Sequence, residues 1–168
     1  EFAARVTTAV GDVTTDSGRP LGVRSSVADD EKIALEKDEG CSVLIDDDAL
    51  VEMCEETAMV LETDAESGRR LVRIDAGEIR IVVEPRGAGD RIEVHTPAAI
   101  ATILGTIVHF AVDPTTGETT ISSAESRVRV RSSDPDVPGS VVVSPLEQVR
   151  MTPGQAPPDR PLRLAPEE

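Results

Sequence analysis

Apolar and polar residues alternate with a period of two along most of this chain. In EIRIVVE (78–84), Ile79, Ile81 and Val83 share one face, with Arg80 and Glu84 on the other. In RIEVHT (91–96), Ile92 and Val94 alternate with Arg91, Glu93 and His95, and in RVRVR (127–131) Val128 and Val130 sit between three arginines. GSVVVS (139–144) and QVRM (148–151) repeat the pattern. Successive side chains of a strand point to opposite faces, so this alternation predicts half-buried strands of about 5 residues. Turn signals separate them: DAG (75–77), EPRGAGD (84–90), DPTTG (113–117) and SDPDVPG (133–139).

Residues 27–39, VADDEKIALEKDE, are the one segment with helical character, through charges spaced four apart, but their apolar set is thin. The last 17 residues, TPGQAPPDRPLRLAPEE, are rich in proline and lack periodicity, so 152–168 reads as an extended tail or linker after a domain of 1–151. About twelve short strands and little helix predict an all-β fold, a solenoid-like stack or a sandwich or roll. Strand–turn–strand units recur every ~10–15 residues without a fixed signature, which a solenoid of unequal rungs would allow.

Composition narrows the picture. Acidic residues outnumber basic ones 32 to 17, giving a net charge of −15. That excludes the basic footprint of a nucleic-acid binder and disfavours anionic membrane surfaces. Trp, Tyr and Asn are absent, and the only Phe residues are Phe2 and Phe110. A core of Val, Ile, Leu, Ala and Met suits narrow β layers and is a poor lining for a deep ligand pocket. The lack of Trp and Tyr also argues against sugar stacking. No apolar run reaches the roughly 18 residues of a bilayer span. The chain begins without a basic, apolar leader, so an exported form is expected to have lost its signal peptide.

TPAAIATILGTIVHFAVD (96–113) is nearly all apolar but broken by Thr-Pro and Gly-Thr. With RIEV before it, the stretch resembles the signature of the FecR domain family: an alternating strand, Thr96-Pro97, a short apolar strand, then Gly105-Thr106 nine residues later and another alternating strand. ARVTTAVGDV (4–13) is similar to that family's opening strand and glycine. SVLIDDDALVEMCEET (42–57) is similar to its hairpin, with Val43, Ile45, Asp47, Val51 and Met53 in matching places. LVRIDAGEIRIVV (71–83) resembles its next strand, glycine (Gly77) and strand, and ISSAESRVRV and VVVSPLEQVRM its closing strands. The likeness covers about 4–151. It departs at Asp48, where the family has glycine, and at Val108, where it has an aromatic whose volume Phe110 would supply. It departs again at Ser126 and Glu147, where late turn glycines are expected.

The resemblance implies an extracytoplasmic FecR-like domain, periplasmic, cell-surface or secreted, in a bacterium. It implies that domain alone, without the family's anti-sigma segment, membrane helix or second periplasmic domain. Thr96, Pro97, Gly105, Thr106, Phe110 and Gly77 are its structural motif residues. The register it implies turns Cys41 inward and Cys54 outward. A two-residue turn at Asp47-Asp48 would instead set the two cysteines opposite each other, where an oxidising compartment could join them in a disulfide. Both alternatives stand on the sequence.

Candidate chemistry is sparse. His95 and His109 fall at outward positions on strands that could be neighbours, without an evident third metal ligand. Asp46-Asp47-Asp48 lacks the alternating oxygen spacing of a calcium loop and reads as an acidic turn. No Gly-x-Ser-x-Gly elbow or glycine-rich phosphate loop occurs, so no enzyme and no cofactor are expected. Two functions follow. One is a protein-interaction module of the bacterial cell envelope that binds a partner through strand edges or loops. The other is a subunit that assembles with itself into a filament or layer by exchanging its N-terminal strand or C-terminal tail. The charge of −15 opposes the second unless salt or divalent cations screen it.

Overall fold

The computed structural model describes residues 4–46, 49–66, 68, 70–84, 92–105, 107–125 and 127–164. Each alternating segment quoted above contributes to a strand, and among the described residues there is no helix. The strands are β1 (Ala4–Val10), β2 (Lys32–Ala34), β3 (Gly40–Ile45), β4 (Ala49–Met53), β5 (Ala58–Thr63), β6 (Arg70–Val83) and β7 (Ile92–His95). They continue with β8 (Ala99–Ile103), β9 (Ile107–Val112), β10 (Thr119–Ser123), β11 (Val128–Ser132), β12 (Ser140–Val143), β13 (Glu147–Met151) and β14 (Leu162–Arg163). The fold is all-β.

The segment 27–39 contains β2 between turns. Ile33 and Leu35 are buried at a spacing of two, and Asp30 and Asp38 adopt left-handed backbone angles, which break a helix at both ends of the apolar pair.

β6 organises the sheet. Its first half pairs with β5 and, in parallel, with β7; its second half pairs with β4 and β9. One wing of the sheet therefore runs β2-β5-β6-β7-β8-β11-β12 and the other β1-β3-β4-β6-β9-β10-β13-β14. The sheet curls so that the inward side chains of both wings share one core, with Phe110 its largest fully buried member. Each Val or Ile taken out of water there contributes about 1.5–3 kcal/mol.

The predicted turn at DAG is a corner within one continuous strand. The buried set of β6 is Val72 and Ile74, then Ile79 and Ile81, so the inward phase slips by one residue between them. Ala58 faces Ala76 and Met59 faces Ile74, leaving Asp75 as the extra residue of a bulge. Gly77 follows with φ +93°. Only a residue without Cβ takes that angle cheaply, and a bulge bends the strand from one wing into the other.

Most sheet edges are covered. Ser25, Arg24 and Val27 hydrogen-bond the outer side of β1 at Val6 and Ala4, with N···O distances of 2.8–3.0 Å. Asp16 N donates to Lys32 O of β2 at 2.9 Å. In the Pro-rich tail, Pro153 stands near Gly117 and Pro157 near Gly139 before β14 pairs with β13 at Glu147 and Gln148.

Candidate functional site

Three places gather the residues singled out in the sequence. The first is the Thr-Pro corner. Thr96 ends β7, and its buried hydroxyl accepts from Ala98 N (3.2 Å) and Ala99 N (3.0 Å) while meeting Thr119 Oγ1 at 2.8 Å. The Pro97 carbonyl accepts from Ser133 Oγ at 2.8 Å. A methyl built on Gly117 would lie 2.9 Å from Pro97 Cβ, so the Asp113–Gly117 turn rests directly on this proline. The corner thus ties β7–β8 of one wing to β9–β10 of the other. Gly105 lies between β8 and β9, which do not pair with each other; Thr106 lies outside the described residues. Thr96 and Pro97 thus join the two wings.

The second place is the Gly77 corner. The Thr57 hydroxyl is buried against it, accepting from Glu78 N at 3.0 Å and lying 3.1 Å from Glu78 O, which also accepts from Cys54 N at 3.0 Å. One side chain so satisfies the backbone that the bulge leaves unpaired. Nothing in the alternation of the sequence singles out Thr57. Beside it runs an open groove of about 570 Å³ lined by Cys54, Glu55, Glu56, Glu78, Asp113 and Glu118 among others. Among the described residues, four of its five carboxylates, all but Glu56, have partners of their own. Glu55 accepts from Asp38 N at 2.7 Å, and Asp113 accepts from Thr115 N and Thr116 N at 2.8 and 3.1 Å. Those two backbone bonds hold the Asp113 carboxyl below its ordinary range. Glu118 meets Arg150 at 3.2 Å, and Glu78 meets His109 at 3.5 Å.

The cysteines are both free. Ile45 faces Ala49 across the hairpin and Cys41 faces Met53, so the register is the one that turns Val43, Ile45, Val51 and Met53 inward. It is not the one that sets Cys41 against Cys54. Cys41 is buried, and burial pushes its thiol up to about 11. Cys54 is exposed; partial desolvation, then the charges of Glu78, Glu52 and Glu55, raise it as well. Asp46 pairs with Arg70 at 3.3 Å, while Asp47 and Asp48, the predicted turn, lie outside the described residues.

The histidines are not neighbours. His95 on β7 faces Arg73 and His109 on β9 faces Arg80, on opposite halves of β6. His95 Nε2 lies 2.6 Å from Glu93 Oε1. Among the described residues no three His, Cys, Asp or Glu side chains are grouped to hold a metal ion.

The third place is the outer face of β11. Arg127, Arg129 and Arg131 are exposed while Val128 and Val130 are buried between them. The alternation predicted this placement; it did not predict that β11 would lie one strand from the end of its wing.

The family model described as FecR protein matches residues 31–129, more than half of the chain. The chain belongs to the FecR family. The matched span begins just before β2 and closes within β11, so it holds both corners and all of β6. No match was found among curated proteins. Two crystal structures of a protein from Parabacteroides distasonis ATCC 8503, provisionally assigned as an anti-sigma factor and solved at 2.50 and 1.65 Å, share the fold with this FecR-family chain. Each aligns with a TM-score of 0.61 and 23% identity over 74% of this chain and 56% of theirs. The chain thus spans little more than half the length of those solved chains. Among its described residues no helix is long and apolar enough to cross a membrane.

Proposed function

We propose that this FecR-family chain is a non-enzymatic protein-interaction module of the bacterial cell envelope, working outside the cytoplasm and recognising its partner through strand edges or loops. Its membership of the FecR family carries the reading. The geometry supports it, because the conspicuous polar residues of the two corners serve the backbone of the fold itself. Thr96 holds a turn and Thr57 satisfies a bulge. The provisional assignment of the solved relatives as an anti-sigma factor supports a role in regulatory signalling, where the signal is a change of protein contacts and no bond is made or broken.

Photo-cross-linkers placed one at a time on the exposed edges and loops, in cells of the source organism, test the reading. Adducts with one protein, confined to a contiguous surface, are expected. Adducts absent from every position, or spread evenly over unrelated proteins, would sink it.

One observation keeps the self-assembling subunit as a second reading. β14 is only two residues long and follows a Pro-rich stretch, so the tail is held to β13 by few backbone bonds and could pair with a neighbour's β13 instead. Size-exclusion chromatography across salt and calcium, with and without residues 152–168, separates the two. Salt-dependent oligomers that vanish with the tail favour assembly; a monomer throughout removes it.

A further inference from the structure

The free edge of the β12 wing differs from the other edges. β1 is covered at Ala4 and Val6 and β2 at Lys32, while the wing that ends at β13 closes with β14, an edge of only two residues. β12 pairs with β11 on one side, and among the described residues no backbone group bonds it on the other. The tail passes the residue before it, with Pro157 near Gly139, and gives β12 no backbone hydrogen bond. Every other residue of an edge strand turns its N–H and C=O outward, so β12 offers a ladder for one more strand.

The side chains next to that ladder are basic. Arg129 faces Val142 and Arg131 faces Ser140, all on the outer face, with Arg127 just before β11. Among the described residues none of these three guanidiniums has a hydrogen bond or ion pair. By contrast Arg19, Arg70, Arg73, Arg80 and Arg150 each meet a carboxylate. In a chain with 32 acidic residues to 17 basic, three adjacent unpaired arginines mark a local field opposite to that of the rest of the molecule. Strands lie about 4.8 Å apart, so an added strand would run about 10 Å from β11. Ser140 and Val142 are short, and an arginine leaning over them can reach a carboxylate on that strand. A single-signed row beside a bare edge repels strands of its own charge and admits those of the opposite charge.

We propose that β12 is a docking edge for an extended acidic segment of a partner protein, which adds as a strand beside β12 and sets alternate Asp or Glu side chains under Arg129 and Arg131. This rests on the interaction-module reading and names the surface and partner chemistry for it.

The probe is a short peptide alternating Glu and Val, titrated into the isotope-labelled 168-residue chain and followed by amide NMR. Shifts confined to 127–132 and 139–143 are expected. Binding should weaken as salt rises, and by about tenfold or more in Arg129→Ser/Arg131→Ser, whose exposed positions leave the fold intact by circular dichroism. A Lys-Val peptide should not bind. Equal binding by the double variant or by the Lys-Val peptide, or the absence of shifts at β12, overturns the proposal. So do β12 shifts that follow protein concentration without peptide, since they would make a second copy the occupant. If the double variant keeps its photo-cross-linked partner in cells, this surface falls and the interaction-module reading stands; loss of all partners in the unmodified chain removes both.

Discussion

Alanine at position 77 would put a methyl carbon 2.3 Å from Thr57 Oγ1, 2.5 Å from Thr57 Cα and 2.8 Å from the Glu56 carbonyl oxygen. Two of those three atoms are backbone or fixed to it, so no side-chain rotation relieves the overlap. Three costs add. Holding an L-residue at φ +93° costs about 1–2 kcal/mol. Forcing the backbones apart costs about 1–3 kcal/mol, as overpacking does. Displacing the Thr57 hydroxyl leaves the part-buried Glu78 amide without its acceptor, at about 1–3 kcal/mol. The total, about 3–8 kcal/mol, is a large part of the about 5–15 kcal/mol that holds a domain together. Gly18 is the control. Its φ is +85°, and a methyl there meets nothing within 4 Å, so Gly18→Ala bears only the conformational cost. Urea titration followed by far-UV circular dichroism suits a chain without Trp or Tyr. With a slope of about 1–3 kcal/mol per M, Gly77→Ala should lower the midpoint by about 1 M or more. If Gly77→Ala falls within ~0.5 kcal/mol of Gly18→Ala, the corner is not the tight joint described and the reasoning is refuted.

Phe110 is fully buried and, among the described residues, is the only aromatic side chain, so Phe110→Ala should cost about 3–5 kcal/mol in the same titration; a loss under ~1 kcal/mol would mean that the two wings do not close over it. With native protein, maleimide should modify Cys54 alone, and Cys41 only after unfolding, with no mass change on reduction. Because burial and then the Glu78, Glu52 and Glu55 charges raise the Cys54 thiol, its labelling should be slow at neutral pH, accelerate as pH rises, and quicken in Glu78→Gln. An unchanged rate in Glu78→Gln would contradict the assigned field. Glu31 is held below its ordinary range first by its hydrogen bond from Arg19. Its contribution to stability is therefore present above the unfolded carboxylate value of about 4.3 and is lost as pH falls through the lower folded value. Glu31→Gln should flatten that part of the acid-unfolding curve, and an unaltered acid limb would show that the pair contributes nothing.

The clearest strands were legible because their inward positions are Val or Ile and most of their outward ones are charged. In RVRVR the burial follows the alternation residue by residue, and in EIRIVVE it does so through Ile81, after which Val82 and Val83 are both half-buried. The corner at 75–77 was misread as a turn. Asp-Ala-Gly suits either structure, and what distinguishes them is the slip of apolar phase from Val72 and Ile74 to Ile79 and Ile81. That slip was visible in the sequence. A hairpin turn returns the chain onto itself, so the two flanking strands would have faced each other; a one-residue slip instead keeps both halves inward while the strand changes partners. Thr57 was not legible, because its role depends on Glu78, which is brought to it from 21 residues away. The Arg127–Arg131 row was visible as a face, but its place beside a free edge depends on strand order, which alternation does not encode.

Strand order also separates the two charged surfaces. The groove at Gly77 is a concavity of about 570 Å³, yet four of its carboxylates are engaged by Arg150, by His109 and by backbone amides of neighbouring turns. A cationic ligand there would have to compete with contacts that already hold the corner. At β12 the balance is reversed. Among the described residues the arginines have no partner to give up, and the outward amides and carbonyls exchange water for a strand. Binding at an edge of this kind costs the protein little reorganisation, since β11 and β12 are already fixed by the core through Val128, Val130, Val141 and Val143. What is ordered on association is the partner's segment, so affinity should depend on how extended that segment is before it docks. A proline-stiffened or cyclised acidic peptide that presents the same face should bind more tightly than its linear form, and if restricting it leaves the affinity unchanged, the edge is not being read as a strand.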